Sequence, residues 1–204
     1  MRIIYCYILS CFLLGIDQPY FSLFNLNDSL FQKIELGNIV VTKTKGDYGN
    51  GEHYQVYGII NSNTTEVFNA IKNFDDYEKF MPRLESADLI MDSDTLLSYI
   101  FNISLPMNIK YKYKIKIHMS ENSESNWLAW ETIDWQENSI EETWGQWYLT
   151  SYGTNNDKVL VQYQVYTDPG YIPFGFKWLV DILTKNSLPE TVGNLKKWVE
   201  DNEN

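Results

Sequence analysis

The 204-residue chain is long enough to form one domain whose core needs no covalent staples. Its formal charge of −11 excludes sequence-independent nucleic-acid binding, which requires clustered positive charge. Both cysteines, Cys6 and Cys11, precede the body of the chain, which excludes a disulfide framework or a cysteine metal site there.

Residues 3–16 are an unbroken apolar run behind Met1-Arg2. The run has the length of a signal-peptide apolar region and is short for a membrane-spanning helix. An export signal or uncleaved anchor is the expectation. Lipidation at Cys11, within Ile8-Leu9-Ser10-Cys11, and a buried segment are the alternatives. Residues 1–31 are accordingly read as a leader or anchor with its linker, and 32–204 as the domain. The protein is expected to be exported: periplasmic, secreted, or held at a membrane by the leader.

From Gly37 apolar and polar residues alternate, and 37–45 and 53–61 read as strands. The glycine-rich stretch 46–51 between them reads as a hairpin turn. It lacks the Lys-Ser/Thr ending of a phosphate loop, and no helix follows it. The period then changes. Asn63-Thr64-Thr65-Glu66 sets a capping side chain three residues before a glutamate, and Val67, Phe68, Ile71 and Phe74 follow at helical spacing. A second short helix is predicted over 75–81, stopped near Pro82. Strands are predicted at 85–91, 96–105, 107–119, 126–135, 141–152 and 158–167, several of them separated by polar turns. The tail returns to helical spacing with Trp178, Leu179, Ile182 and Leu183, then Val192, Leu195, Trp198 and Val199. Ser187-Leu188-Pro189-Glu190 reads as a second capping box. The tail is therefore one helix kinked near Pro189 or two helices end to end. Consecutive strands with short connections imply an antiparallel sheet.

Strand 107–119 contains Lys110, Lys112, Lys114 and Lys116 at every second position. They are read as one solvated face, paired across strands with Glu131, Glu141 and Glu142. A contact site for anionic lipid headgroups is the alternative. The other face carries Tyr111, Tyr113, Ile115 and Ile117. The same alternation puts Tyr99, Phe101 and Ile103 on one face, Trp147 and Leu149 on another, and Val159, Val161, Tyr163 and Val165 on a fourth. Trp178 and Ile182 should meet them from the terminal helix. Trp144 and Tyr148 fall on the outside. The candidate ligand contacts are Tyr99, Phe101, Tyr111, Tyr113, Trp147, Tyr163, Trp178 and Ile182, with plain core as the alternative for each. The inventory for catalysis is thin. His53, read as exposed, and His118 have no metal-ligand companion at recognisable spacing. Asp75-Asp76 reads as helix-capping charge. No catalytic residue, metal or cofactor is assigned.

A series of motifs carries a resemblance. Trp-Gly-x-Trp-x-Leu begins at Trp144, Asp168-Pro169-Gly170 leads to Ile172-Pro173, and Trp178-Leu179-Val180 precedes Leu195-Lys196. Upstream, Asp76-Tyr77 leads to Phe80-Met81-Pro82, and Leu105-Pro106 enters the long lysine-bearing strand. In order, these resemble the START-like (helix-grip) superfamily of polyketide cyclases, coenzyme Q-binding proteins and lipid-transfer proteins. The resemblance implies an α+β fold: a curved antiparallel β-sheet wrapped around a long C-terminal helix, with two short helices after the first strand. It also implies an apolar tunnel between sheet and helix that binds, and in some members transfers, a lipid or other hydrophobic small molecule. The partners expected are that ligand and, transiently, a membrane; the protein is expected to be a monomer. A cavity enzyme of cyclase or hydrolase type, acting on an aromatic or polyketide-like substrate, is the alternative.

Overall fold

In a computed structural model of the full chain, the described residues are 26–44, 51–93, 96–121, 126–153, 155–171 and 182–202. Eight strands make one curved antiparallel sheet: β1 (Val40–Lys43), β2 (Glu52–Ile60), β3 (Leu84–Ser93), β4 (Leu96–Leu105), β5 (Ile109–Glu121), β6 (Asn126–Thr132), β7 (Glu142–Tyr152) and β8 (Lys158–Asp168). Their spatial order is β1-β2-β8-β7-β6-β5-β4-β3, so β1 and β3 are the outermost strands among the described residues. Helix α1 (Asp28–Glu35) precedes the sheet. Helix α2 (Thr64–Lys72) and a 3-10 helix (Phe74–Lys79) lie between β2 and β3, and α3 (Ser187–Asn202) closes the chain.

The caps explain where the central helices begin. The Asn63 side chain accepts the Glu66 amide at 3.0 Å, while the Glu66 carboxylate takes the Ser62 hydroxyl. Asp76 accepts from the Asn73 amide and from Lys79, a structural role at the start of the 3-10 helix.

The second capping box does not form. Ser187 lies inside a helical run, directly after a π-helical turn, Ile182–Asn186. Its hydroxyl donates to the Ile182 carbonyl at 2.5 Å instead of capping a new helix. Pro189 is the physical reason. It offers no amide to the carbonyl four residues back, and its ring would clash there. The wider π turn absorbs that conflict, and the helix continues through the proline.

The concave face holds the main core. Val67, Phe68 and Ile71 of α2 and Val192, Leu195 and Val199 of α3 pack on Val56, Ile60, Trp147 and Val161. A second cluster sits on the outer face, where Ile34 of α1 meets Val40, Tyr57, Ile59 and Leu160. Leu26, Leu30 and Phe31 join it, so packed structure begins before the boundary drawn at residues 31 and 32. The sparse apolar stripe of α1, spaced at three and four residues, is a weak signal beside the apolar run upstream. As a result β2 and β8 are buried almost end to end on both faces.

His53 belongs to that outer face and is buried, not exposed, with its ring 4.9 Å from Trp144. Burial lowers its pKa to about 4. Trp144 lies on the outer face, where it stacks on Tyr166 at 5.0 Å and is buried.

Three of the four stripe lysines are paired with carboxylates. Lys110 pairs with Glu85, Lys112 with Glu137 and Lys116 with Glu131. Lys112 also lies 4.7 Å over the Trp135 ring. Of the three glutamates expected as partners, only Glu131 serves; β3 and the β6–β7 connection supply the others. Lys114 has no carboxylate partner among the described residues.

Candidate functional site

Strand β5 is much longer than β6, and the difference creates the site. The ladder between them covers only Ile115–Glu121 of β5. Beyond that point the β6–β7 connection takes over. Ile133 N donates to Lys114 O, Asn138 Oδ1 accepts from Lys114 N, and Ser139 N donates to Lys112 O. A loop satisfies β5 where a strand would otherwise lie, and the concave face beneath it is left unfilled. Tyr111 and Tyr113 sit on this stretch.

A cavity of about 90 Å³ occupies the space between that stretch, β7, β8 and the start of α3. Phe101, Tyr111, Tyr113, Trp147 and Tyr163 all line it, and thus five of the predicted contacts meet at one cavity. Tyr99 is on the concave face too, but it stacks on Phe74 at 4.2 Å and is not among the lining residues. Ile182 lies in the π turn and is absent from the lining as well. Trp178 lies outside the described residues.

Aromatic stacking fixes the walls. Trp147 and Tyr163 are stacked at 3.9 Å, and Trp130 lies 5.7 Å from Tyr163. Gly145 of the Trp-Gly-x-Trp motif makes this possible. A Cβ there would stand 2.3 Å from the Gln164 carbonyl and 2.4 Å from the Trp130 ring. The motif thus has a packing role, because only glycine lets Trp130 lie across β7 and reach the cavity.

Burial sets the electrostatics. It raises the phenols of Tyr113 and Tyr163 far above the ordinary tyrosine value, and that of Tyr77 as well. They remain neutral donors at any physiological pH. One end of the cavity is polar. Arg83, at a left-handed φ of 67°, extends Nη1 to the Ser187 hydroxyl at 2.7 Å and to Glu190 at 3.4 Å. Thr143, Thr167 and Thr191 also line the cavity.

Sequence reasoning missed several of these. Thr143 and Thr167 share parity with Trp147 and Tyr163, and Trp130 shares it with Leu128, so alternation contained the signal. Arg83 had none, since its role depends on a helix end more than a hundred residues away. Among the described residues no group of three or more His, Cys, Asp or Glu side chains is placed to hold a metal ion, and no helix is long and apolar enough to cross a membrane.

No protein-family model matches the chain, and no curated protein does. Solved structures do. A STAR-related lipid transfer protein from Xanthomonas axonopodis superposes with a TM-score of 0.63 at 17% identity, over 80% of this chain and 94% of that one. Human StAR-related lipid transfer protein 5 gives 0.68 at 16%, over 82% and 84%. Zhui aromatase/cyclase from a Streptomyces species gives 0.60 at 8%, over 76% and 96%. At these identities the likeness is one of architecture: the chain has the helix-grip fold shared by START-related lipid-transfer domains and aromatase/cyclases.

Proposed function

We propose that the protein is a carrier that binds a lipid or other hydrophobic small molecule between the sheet and α3, and passes it on. The observation that carries this reading is the aromatic-lined cavity left open where a loop replaces β6 beside β5. Burial of apolar surface would supply the affinity, at roughly 25 cal/mol per Å². Two of the fold's solved relatives are described as lipid transfer proteins, which favours the same reading.

The cavity is small. Drug-sized ligands occupy pockets of roughly 300–1,000 Å³, against about 90 Å³ in this closed form. A ring or short chain fits as it stands, and a full lipid requires the first turn of α3 to move away from Arg83. A brief membrane encounter by a monomer, at the destination set by residues 1–31, completes the proposal.

Native mass spectrometry of the full chain, followed by organic extraction, tests it. A stoichiometric apolar adduct is expected. A bare mass, even after mixed lipids are offered, overturns the carrier.

The second reading is a cavity enzyme of cyclase type, favoured by the likeness to an aromatase/cyclase. The described lining includes neither a carboxylate nor an imidazole, so its chemistry would depend on the phenols. Turnover of a bound aromatic ketone that disappears in Tyr163→Phe would establish it.

A further inference from the structure

The polar groups around the cavity fall into two sets. One set is already engaged. The Tyr77 hydroxyl donates to the Ile71 carbonyl, Thr143 Oγ1 to the Tyr166 carbonyl at 2.8 Å, and Thr191 Oγ1 to the Ser187 carbonyl at 2.9 Å. Ser187 and Arg83 hold each other. The other set is three phenols, Tyr111 and Tyr113 on β5 and Tyr163 on β8, whose hydroxyls have no hydrogen-bond partner among the described residues. Of these, Tyr113 and Tyr163 are the two packed against aromatic neighbours. Tyr163 is only 3% exposed, and Tyr113 is partly buried. Buried hydroxyls are ordinarily satisfied, because leaving one unmade forfeits its hydration.

The Tyr113 and Tyr163 rings are both held by aromatic neighbours. Tyr163 is stacked on Trp147, and Tyr113 lies 5.8 Å from Phe101. The two hydroxyls are unengaged donors in the aromatic part of the wall.

We propose that this cavity selects ligands carrying an uncharged oxygen acceptor, such as a ketone, ester or ether, which takes hydrogen bonds from the Tyr113 and Tyr163 hydroxyls; this rests on the carrier reading above. An anionic group is disfavoured, because the basic side chain among the described lining residues, Arg83, is already bonded to Ser187 and Glu190. The raised phenol pKa values act in the same direction, since both groups stay protonated and can donate.

The test is a matched pair of probes, 2-acetylnaphthalene and 2-isopropenylnaphthalene, which differ in a carbonyl oxygen against a methylene. Affinities are measured by calorimetry on the full chain and on the Tyr113→Phe/Tyr163→Phe double variant. The wild-type chain is expected to prefer the ketone by roughly fivefold or more, as one or two hydrogen bonds imply. The double variant, which retains both rings, is expected to lose that preference. Equal affinities in the wild type overturn the inference and leave the carrier standing. A preference that survives in the double variant overturns the assignment to these two residues. Failure of both probes to bind overturns the inference and the carrier together.

Discussion

Arg83 and Ser187, 104 residues apart in sequence, are joined by a 2.7 Å hydrogen bond that pins the first turn of α3 to the segment leading into β3. It is a charge-assisted bond at the edge of the cavity, reinforced by Glu190 at 3.4 Å. Arg83→Ala is expected to speed release of a bound naphthalene dye by about tenfold, the scale of one charged hydrogen bond. Stopped-flow fluorescence reads this directly. Arg83→Gly should release the dye equally fast yet be about 1 kcal/mol more stable than the alanine variant, because φ is 67°. Unchanged release in both variants would show that the clasp does not control access.

Filling the cavity should separate ligand binding from folding. Ile103 lines the cavity and is only partly buried, so a larger side chain there has room to enter. Ile103→Trp is expected to abolish retention of the co-purifying ligand while changing stability by no more than about 1–2 kcal/mol. Retention at the wild-type level in the folded variant would place the ligand elsewhere.

Gly145 should tolerate no side chain. Gly145→Ala is expected to cost about 3 kcal/mol or more in denaturant unfolding, since the added carbon meets both backbone and indole. Trimming the indole with Trp130→Leu should not rescue it, because the Gln164 carbonyl at 2.3 Å remains. Full rescue would mean that the ring alone imposes the glycine.

Acid should weaken the fold through His53. Its folded pKa, about 4, lies below the usual 6.5, so the unfolded chain binds the proton first. The contribution is complete above pH 6.5, falls as pH drops towards 4, and is then exhausted. The loss is at most about 3 kcal/mol. Unfolding free energies at several pH values should show this slope, and His53→Phe should flatten it between those limits. A parallel profile in the variant would assign the acid sensitivity to other groups.

The architecture was legible because the apolar period changes where the elements change. Alternation from Glu52 to Ile60, helical spacing from Val67 to Ile71, and alternation again from Leu84 to Asp168 mark a sheet interrupted once. Parity also picked out Phe101, Tyr113, Trp147 and Tyr163 strand by strand, and the resemblance implied that their faces meet. It could not say which inward residues would face a void and which would stack, and Tyr99 separates from Phe101 on that point. The void depends on the length mismatch between β5 and β6, and the polar edge depends on Arg83 meeting Ser187. Both are tertiary facts with no local pattern. His53 was misread for a related reason: a glycine-rich turn beside it suggested solvent, whereas the outer face of β2 is covered.

That coverage divides the sheet into unequal halves. β2 and β8 are enclosed on both sides, whereas β3 is an outermost strand with Leu89, Ile90 and Met91 about half exposed. Amide hydrogen exchange should therefore be graded across the molecule. Protection should be greatest in the β2–β8 pair and should decline towards β3 and β4. Tyr163 projects from the half expected to exchange slowly and Tyr113 from the half expected to open more often, so the cavity spans the boundary between them. A visiting molecule would bridge a fixed wall and a yielding one.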